Sequence, residues 1–167
     1  MSFLTALTLF HVLLSLVGLV AGFVAIFGWL RGVSRERWTL WFLVTTIATS
    51  VTGFLFPFEK FLPSHAFGII SLLILPVTCL ARYSYHLKGP WRWLFTVTAV
   101  TAQYLNMFVL IVQLFLKVPV LHALAPTQSE PPFALAQLLN LGLFIWLGVK
   151  VTIKSKTWPA LTARPAS

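Results

Sequence analysis

Long apolar stretches broken by short polar ones run from one end of the chain to the other. Residues 1–30, 38–58, 61–81, 93–116 and 131–149 contain no Asp, Glu, Lys or Arg. Each is long enough, or nearly so, for the ~20 residues that a bilayer-spanning helix needs. The pattern predicts a single all-α domain over 1–167, an integral membrane bundle of five transmembrane helices at about 4–30, 38–58, 65–85, 93–116 and 132–150.

Within such helices the informative face is the polar one, because lipid accepts apolar side chains and only protein can satisfy the rest. In the first span Thr8, His11, Ser15, Gly18 and Gly22 alternate spacings of three and four, which keeps them on one face. Gly18 and Gly22 form a small-xxx-small pair where backbones can approach. The second span clusters Thr45, Thr46, Thr49, Ser50, Thr52 and Gly53. The third follows Pro63 with Ser64, a candidate N-cap, and holds Pro76, whose missing N–H predicts a kink near Ser71 and Leu72. The fourth is the most polar: Gln103, Asn106, Gln113 and Lys117 share a stripe, with Tyr104 beside it. The fifth carries Gln137 and Asn140 one turn apart. Amides in hydrocarbon need partners, and each other is the expected answer. Between the last two spans, Ser129 or Glu130 is placed to cap a helix starting at Pro131 or Pro132.

Charge gives this array a direction. Arg31, Arg35 and Arg37, then Arg82, Lys88 and Arg92, then Lys150, Lys154, Lys156 and Arg164 alternate with segments that hold only Lys60 and Lys117 among the cations. Under the positive-inside rule the N-terminus is outside and the C-terminus cytoplasmic. All seven Trp fall near the inner ends of the spans, as interfacial indoles should. The first span has no preceding basic residue and is too long for a secretory h-region, so it reads as a retained anchor. Short loops and inward basic charge suit a bacterial inner (cytoplasmic) membrane with a multi-pass topology. The net charge of +9 then orients the chain and meets anionic membrane lipids, and no nucleic-acid partner is needed. Cys79 is the single cysteine and reads as a small core residue.

Composition narrows the chemistry without naming it. No Asp is present, and the three Glu are split between the two sides, so paired-carboxylate catalysis has only Glu59 with Glu130, in separate loops. No nucleophile motif is visible, and whether the protein is an enzyme stays open. Polar groups nevertheless concentrate toward the outer side. His11, Asn106, Gln113, Lys117, Gln128, Glu130 and Gln137 are the candidate ligand-binding set, with Lys117 and Glu130 as the expected ion pair. An ionisable group inside a span, as His11 is, usually serves a site. His11, His65 and His122 are the alternative set, as axial ligands of haem b or as metal ligands.

Tyr104-Leu105-Asn106, Lys117-Val118-Pro119 and the run from Ala125 through Pro126-Thr127-Gln128-Ser129-Glu130-Pro131-Pro132 to Phe133 resemble a group of small bacterial inner-membrane proteins known mainly as uncharacterised reading frames. Thr52-Gly53-Phe54, Pro63-Ser64-His65 and Arg82-Tyr83 with His86 fit the same pattern. The resemblance implies a bacterial membrane protein and no activity. The expected function is a binding or accessory subunit with an outward-facing polar pocket for a lipid, quinone or small polar ligand. Other membrane subunits, or further copies of the chain, are its expected protein partners.

Overall fold

The computed structural model describes residues 2–33, 35–56 and 63–158, and all regular structure among them is helical. α1 spans Phe3–Leu30, α2 Glu36–Gly53 and α3 Pro63–Cys79, which runs on into a π-helical turn at Leu80–Ser84. α4 spans Pro90–Lys117, α5 Pro119–Leu124 and α6 Pro131–Ser155. Their starts are chemically marked. The Ser2 hydroxyl accepts from the Thr5 amide at the head of α1. Pro opens α4, α5 and α6, where its missing N–H has no carbonyl to serve. α3 begins at Pro63, so Ser64 lies inside the first turn and is not the cap expected of it. Helix continues past Ser71 and Leu72 and through Pro76, and the widening comes one turn later. There the Tyr85 amide donates back to Leu80 O at 3.0 Å.

Paired contacts fix how the helices run. His11 meets Thr52, Gly18 lies on Thr45 and Gly28 on Arg35, so α2 descends antiparallel to α1. Phe54 meets His65 and Gly68 across the next turn. Phe67 with Phe108 and Thr78 with Thr98 set α3 antiparallel to α4. Phe115 with Phe133, Tyr104 with Phe144 and Thr96 with Thr152 do the same for α4 and α6. Gly22 with Gln103 and Trp29 with Phe95 pack α4 on α1. The long helices therefore alternate in direction, with α4 touching each of the others.

Four helical stretches, Phe3–Leu30, His65–Ser84, Pro90–Lys117 and Pro131–Ser155, are long and apolar enough to cross a membrane. Five were expected. The missing one is α2, whose described part is 18 residues long and starts with Glu36 and Arg37. From Trp38 to Gly53 it rises only about 24 Å at ~1.5 Å per residue, and buried Thr39, Thr45 and Thr46 dilute its hydropathy. The end of that expected span, at 57–58, lies outside the described residues, as do Glu59, Lys60 and Arg164. Outward-facing side chains are apolar, among them Val20, Leu73, Leu138 and Leu139, as a lipid-facing surface requires.

The three basic segments meet at one end of the bundle. Lys154 lies over Gly32, and the Arg92 guanidinium donates to Lys156 O at 3.4 Å. Trp158 packs on Trp29 and Phe95 and donates to Trp29 O at 3.2 Å. Two of the expected interfacial indoles are thus part of the packed interior. Arg82, one of the cations of the second basic segment, is 4% exposed, with its guanidinium 5.5 Å from the Phe95 ring centre. A cation over an aromatic face recovers part of its desolvation cost.

Candidate functional site

The polar stripe of α1 becomes a seam with two neighbours. Gly18 and Gly22 lack the Cβ atoms that would block it: a methyl at Gly18 would stand 3.0 Å from Thr45 Oγ1, and one at Gly22 would stand 2.0 Å from Gln103 Oε1. Through the notch at Gly22 the fully buried Gln103 amide donates to Leu19 O at 2.9 Å. Its Oε1 has no hydrogen-bond partner. Further along α1, His11 Nδ1 sits 2.9 Å from Thr52 Oγ1, and the imidazole stands edge-on to Phe56. The Thr52 hydroxyl donates to Thr49 O, so the ring nitrogen that faces it accepts only if that bond gives way.

On α4 the amides divide by depth. Asn106 Nδ2 donates to Thr46 Oγ1 of α2 at 3.0 Å. Gln113 and Lys117, farther along the same stripe, are exposed. From α6, Gln137 donates to Phe108 O at 3.3 Å, leaving its buried Oε1 without a partner. Asn140 is 5% exposed, and neither its Nδ2 nor its Oδ1 is bonded. The amides thus do not satisfy one another as expected. They reach for backbone carbonyls and a threonine hydroxyl, because antiparallel neighbours present carbonyls at every turn while a facing amide requires exact register. Gln103 and Asn140 were legible as intramembrane amides but not as the two most enclosed ones.

The connection after α4 folds back on the helix. α5 was not foreseen; Pro119 starts it and Ala125, fully buried, ends it against Ile111 and Phe115. Gln128, at φ +59°, donates to Val112 O at 3.0 Å. Glu130 is the N-cap residue of α6, in line with the sequence, but its carboxylate turns backward. It accepts from the Thr127 hydroxyl at 2.9 Å and from the Thr127 and Ser129 amides, each at 3.1 Å. Desolvation pushes its pKa up, and these hydrogen bonds outweigh that and hold it below the ordinary carboxylate value. Both oxygens are engaged locally, and the expected ion pair with Lys117 is not formed.

Of the histidines, His11 and His65 flank the end of α2: His11 touches Thr52 and Phe56, and the buried His65 ring lies 6.1 Å from that of Phe54. His122 is exposed on α5. Among the described residues no three of His, Cys, Asp and Glu gather closely enough to hold a metal ion. Compared with protein-family models, curated proteins and solved structures, the chain matches none.

Proposed function

We propose that the chain is a small binding or accessory subunit of a bacterial inner membrane, crossing it five times with its N-terminus outside and its C-terminus in the cytoplasm, and holding a lipid head group, quinone or small polar solute toward its outer side. One observation carries the binding reading. The α4 stripe runs from amides enclosed among the helices, Gln103 and Asn106, to the exposed Gln113 and Lys117 at the helix end. Polar groups at membrane depth are costly and usually serve a site. Five crossings are supported by α2 keeping antiparallel register with α1 from Arg35 to Thr52, and the orientation by the gathering of basic segments at one end.

Lys117→Ala and Glu130→Gln test the binding role. Both variants are expected to insert and accumulate like the parent while losing the small molecule that native mass spectrometry finds on the parent protein. Failure of either variant to accumulate makes the outer polar groups structural. Topology is checked separately in a Cys79→Ser background. A membrane-impermeant maleimide is expected to label an Ala123→Cys variant in intact cells, and a Lys88→Cys variant only after lysis.

A second reading, haem b or a metal on outer-side histidines, is favoured by the placement of His11 and His65 beside the same end of α2, on Thr52 and Phe54. In it Nε2 of His11 would be the ligating nitrogen, with Nδ1 kept on Thr52. Absorption spectra of oxidised and reduced protein decide it: a Soret band lost in His11→Ala supports it, and a parent protein with no colour and no bound metal removes it.

A further inference from the structure

The α4–α6 interface is a ladder of matched rungs with one exception. Phe115 meets Phe133, Phe108 O takes the Gln137 amide, Tyr104 meets Phe144, Val100 lies against Gly148 and Thr96 bonds Thr152. Asn140 falls between the second and third of these and has no partner on any atom, although it is 95% enclosed. One turn away on the same face, Gln137 Oε1 is also buried and unpartnered. An amide left unbonded in a protein interior keeps its full desolvation penalty, and the hydrocarbon of a bilayer offers no water to relieve it. Leucine at 140 would complete the ladder at no such cost.

From this geometry we infer that Asn140 and Gln137 form a binding site for a neutral, membrane-soluble molecule carrying a hydroxyl on its head group. The inference rests on the binding reading above and names its site and ligand class. The donor and acceptor inventory selects the chemistry. Asn140 Nδ2 needs an acceptor, while Asn140 Oδ1 and Gln137 Oε1 need donors. A hydroxyl is both. A carbonyl serves only the Nδ2 and leaves two oxygens orphaned. No charged residue lies on α6 between Glu130 and Lys150, so the site has no counter-ion for an ionic ligand. The rings of Tyr104, Phe108 and Phe144, with Phe23 6.0 Å from Phe144, make its surroundings aromatic. A hydroquinone carries that hydroxyl on an aromatic ring, and a diacylglycerol offers the same hydroxyl chemistry from a lipid. Entry requires α6 to lift from α4, and the flanking Leu138, Leu139, Leu141 and Leu143 are all exposed, so that movement opens toward the bilayer.

The test uses the full chain in phosphatidylcholine nanodiscs, titrated anaerobically with decylubiquinol, with decylubiquinone and with dioleoylglycerol. The expected result is saturable binding of a hydroxyl-bearing probe, weakened at least about tenfold in Asn140→Leu, which should fold at least as stably as the parent. Decylubiquinol should bind at least about tenfold more tightly than decylubiquinone, a comparison on the parent protein that needs no variant. Binding of dioleoylglycerol alone assigns the hydroxyl to a lipid. Equal affinity for the two quinone forms without binding of the glyceride, unchanged affinity in Asn140→Leu, or no saturable binding of any probe overturns the proposal. Native mass spectrometry separates the two levels. A co-purifying ligand retained by Asn140→Leu overturns this site and leaves the binding reading standing, whereas a parent protein carrying none overturns both.

Discussion

Gly22 and Gln103 act as one unit. The glycine is there because the amide oxygen of Gln103 occupies the space a Cβ would take, 2.0 Å away, and the amide nitrogen is thereby led to Leu19 O. Gly22→Ala should displace the amide, cost about 1–3 kcal/mol for the orphaned polar group, and show as earlier denaturation in mild detergent. Adding Gln103→Ala should recover much of the loss, since the obstructed group is gone; a double variant no better than Gly22→Ala would mean that the helices themselves cannot close. Glu130 supplies a residue-scale pH effect. Its folded-state pKa is depressed, so its contribution is fully present above the ordinary glutamate pKa of about 4.3 and is lost as pH falls through the depressed value. The amides of Thr127 and Ser129, which its carboxylate accepts from, should therefore lose protection in acid, measured against an intrinsic exchange rate that itself slows as pH falls. Glu130→Gln should weaken the same protection at neutral pH, as hydrogen exchange resolved at those amides would report.

At the level of elements, α6 is held at its two ends and loose in polar terms between them. At its start Phe133 packs on Phe115. At its end Thr152 bonds Thr96, and Trp158 beyond it packs on Trp29 and Phe95. Trp158→Ala removes a half-buried aromatic and one hydrogen bond, and a loss of about 2–4 kcal/mol follows from the usual cost of aromatic truncation. The change should appear as faster exchange in the last turns of α6, with α2 and α3 little affected; uniform loosening of all helices would instead make Trp158 part of one cooperative unit with the core. The π turn at Leu80–Ser84 belongs at this scale too. Pro76 lies one turn before it, and the turn, later in the chain than the kink expected near Ser71 and Leu72, delivers Arg82 inward over Phe95.

Across the whole molecule, the all-α character and the limits of several helices were legible from the chain because each rests on local chemistry, whereas four rather than five stretches are long and apolar enough to cross a membrane and α5 was not foreseen. Charge-free stretches mark helices whatever surrounds them. The starts of α1 and α6 and the end of α4 fall within a few residues of expectation, and the stripes of α1 and α4 face protein at Gly18, Gly22, Gln103 and Asn106 but are exposed at Thr8, Gln113 and Lys117. Even the start of α6 after Glu130 was readable, since proline chemistry is local. Partner choice was not. Whether an amide finds an amide, a hydroxyl or a backbone carbonyl depends on which residue of another helix lies at its height. Asn106 came to Thr46, Gln103 to Leu19 and Gln137 to Phe108, while Asn140 came to nothing. Glu130 and Lys117 looked like an ion pair because opposite charges bracket one loop, yet backbone amides one and three residues away reach the carboxylate at less entropic cost than a long lysine side chain. Hydrophobic pattern, charge and turn residues thus determine an alternating bundle of apolar helices. The register between those helices, a property of no single segment, decides which polar atoms are satisfied and which, the Asn140 amide and Gln137 Oε1 among them, are not.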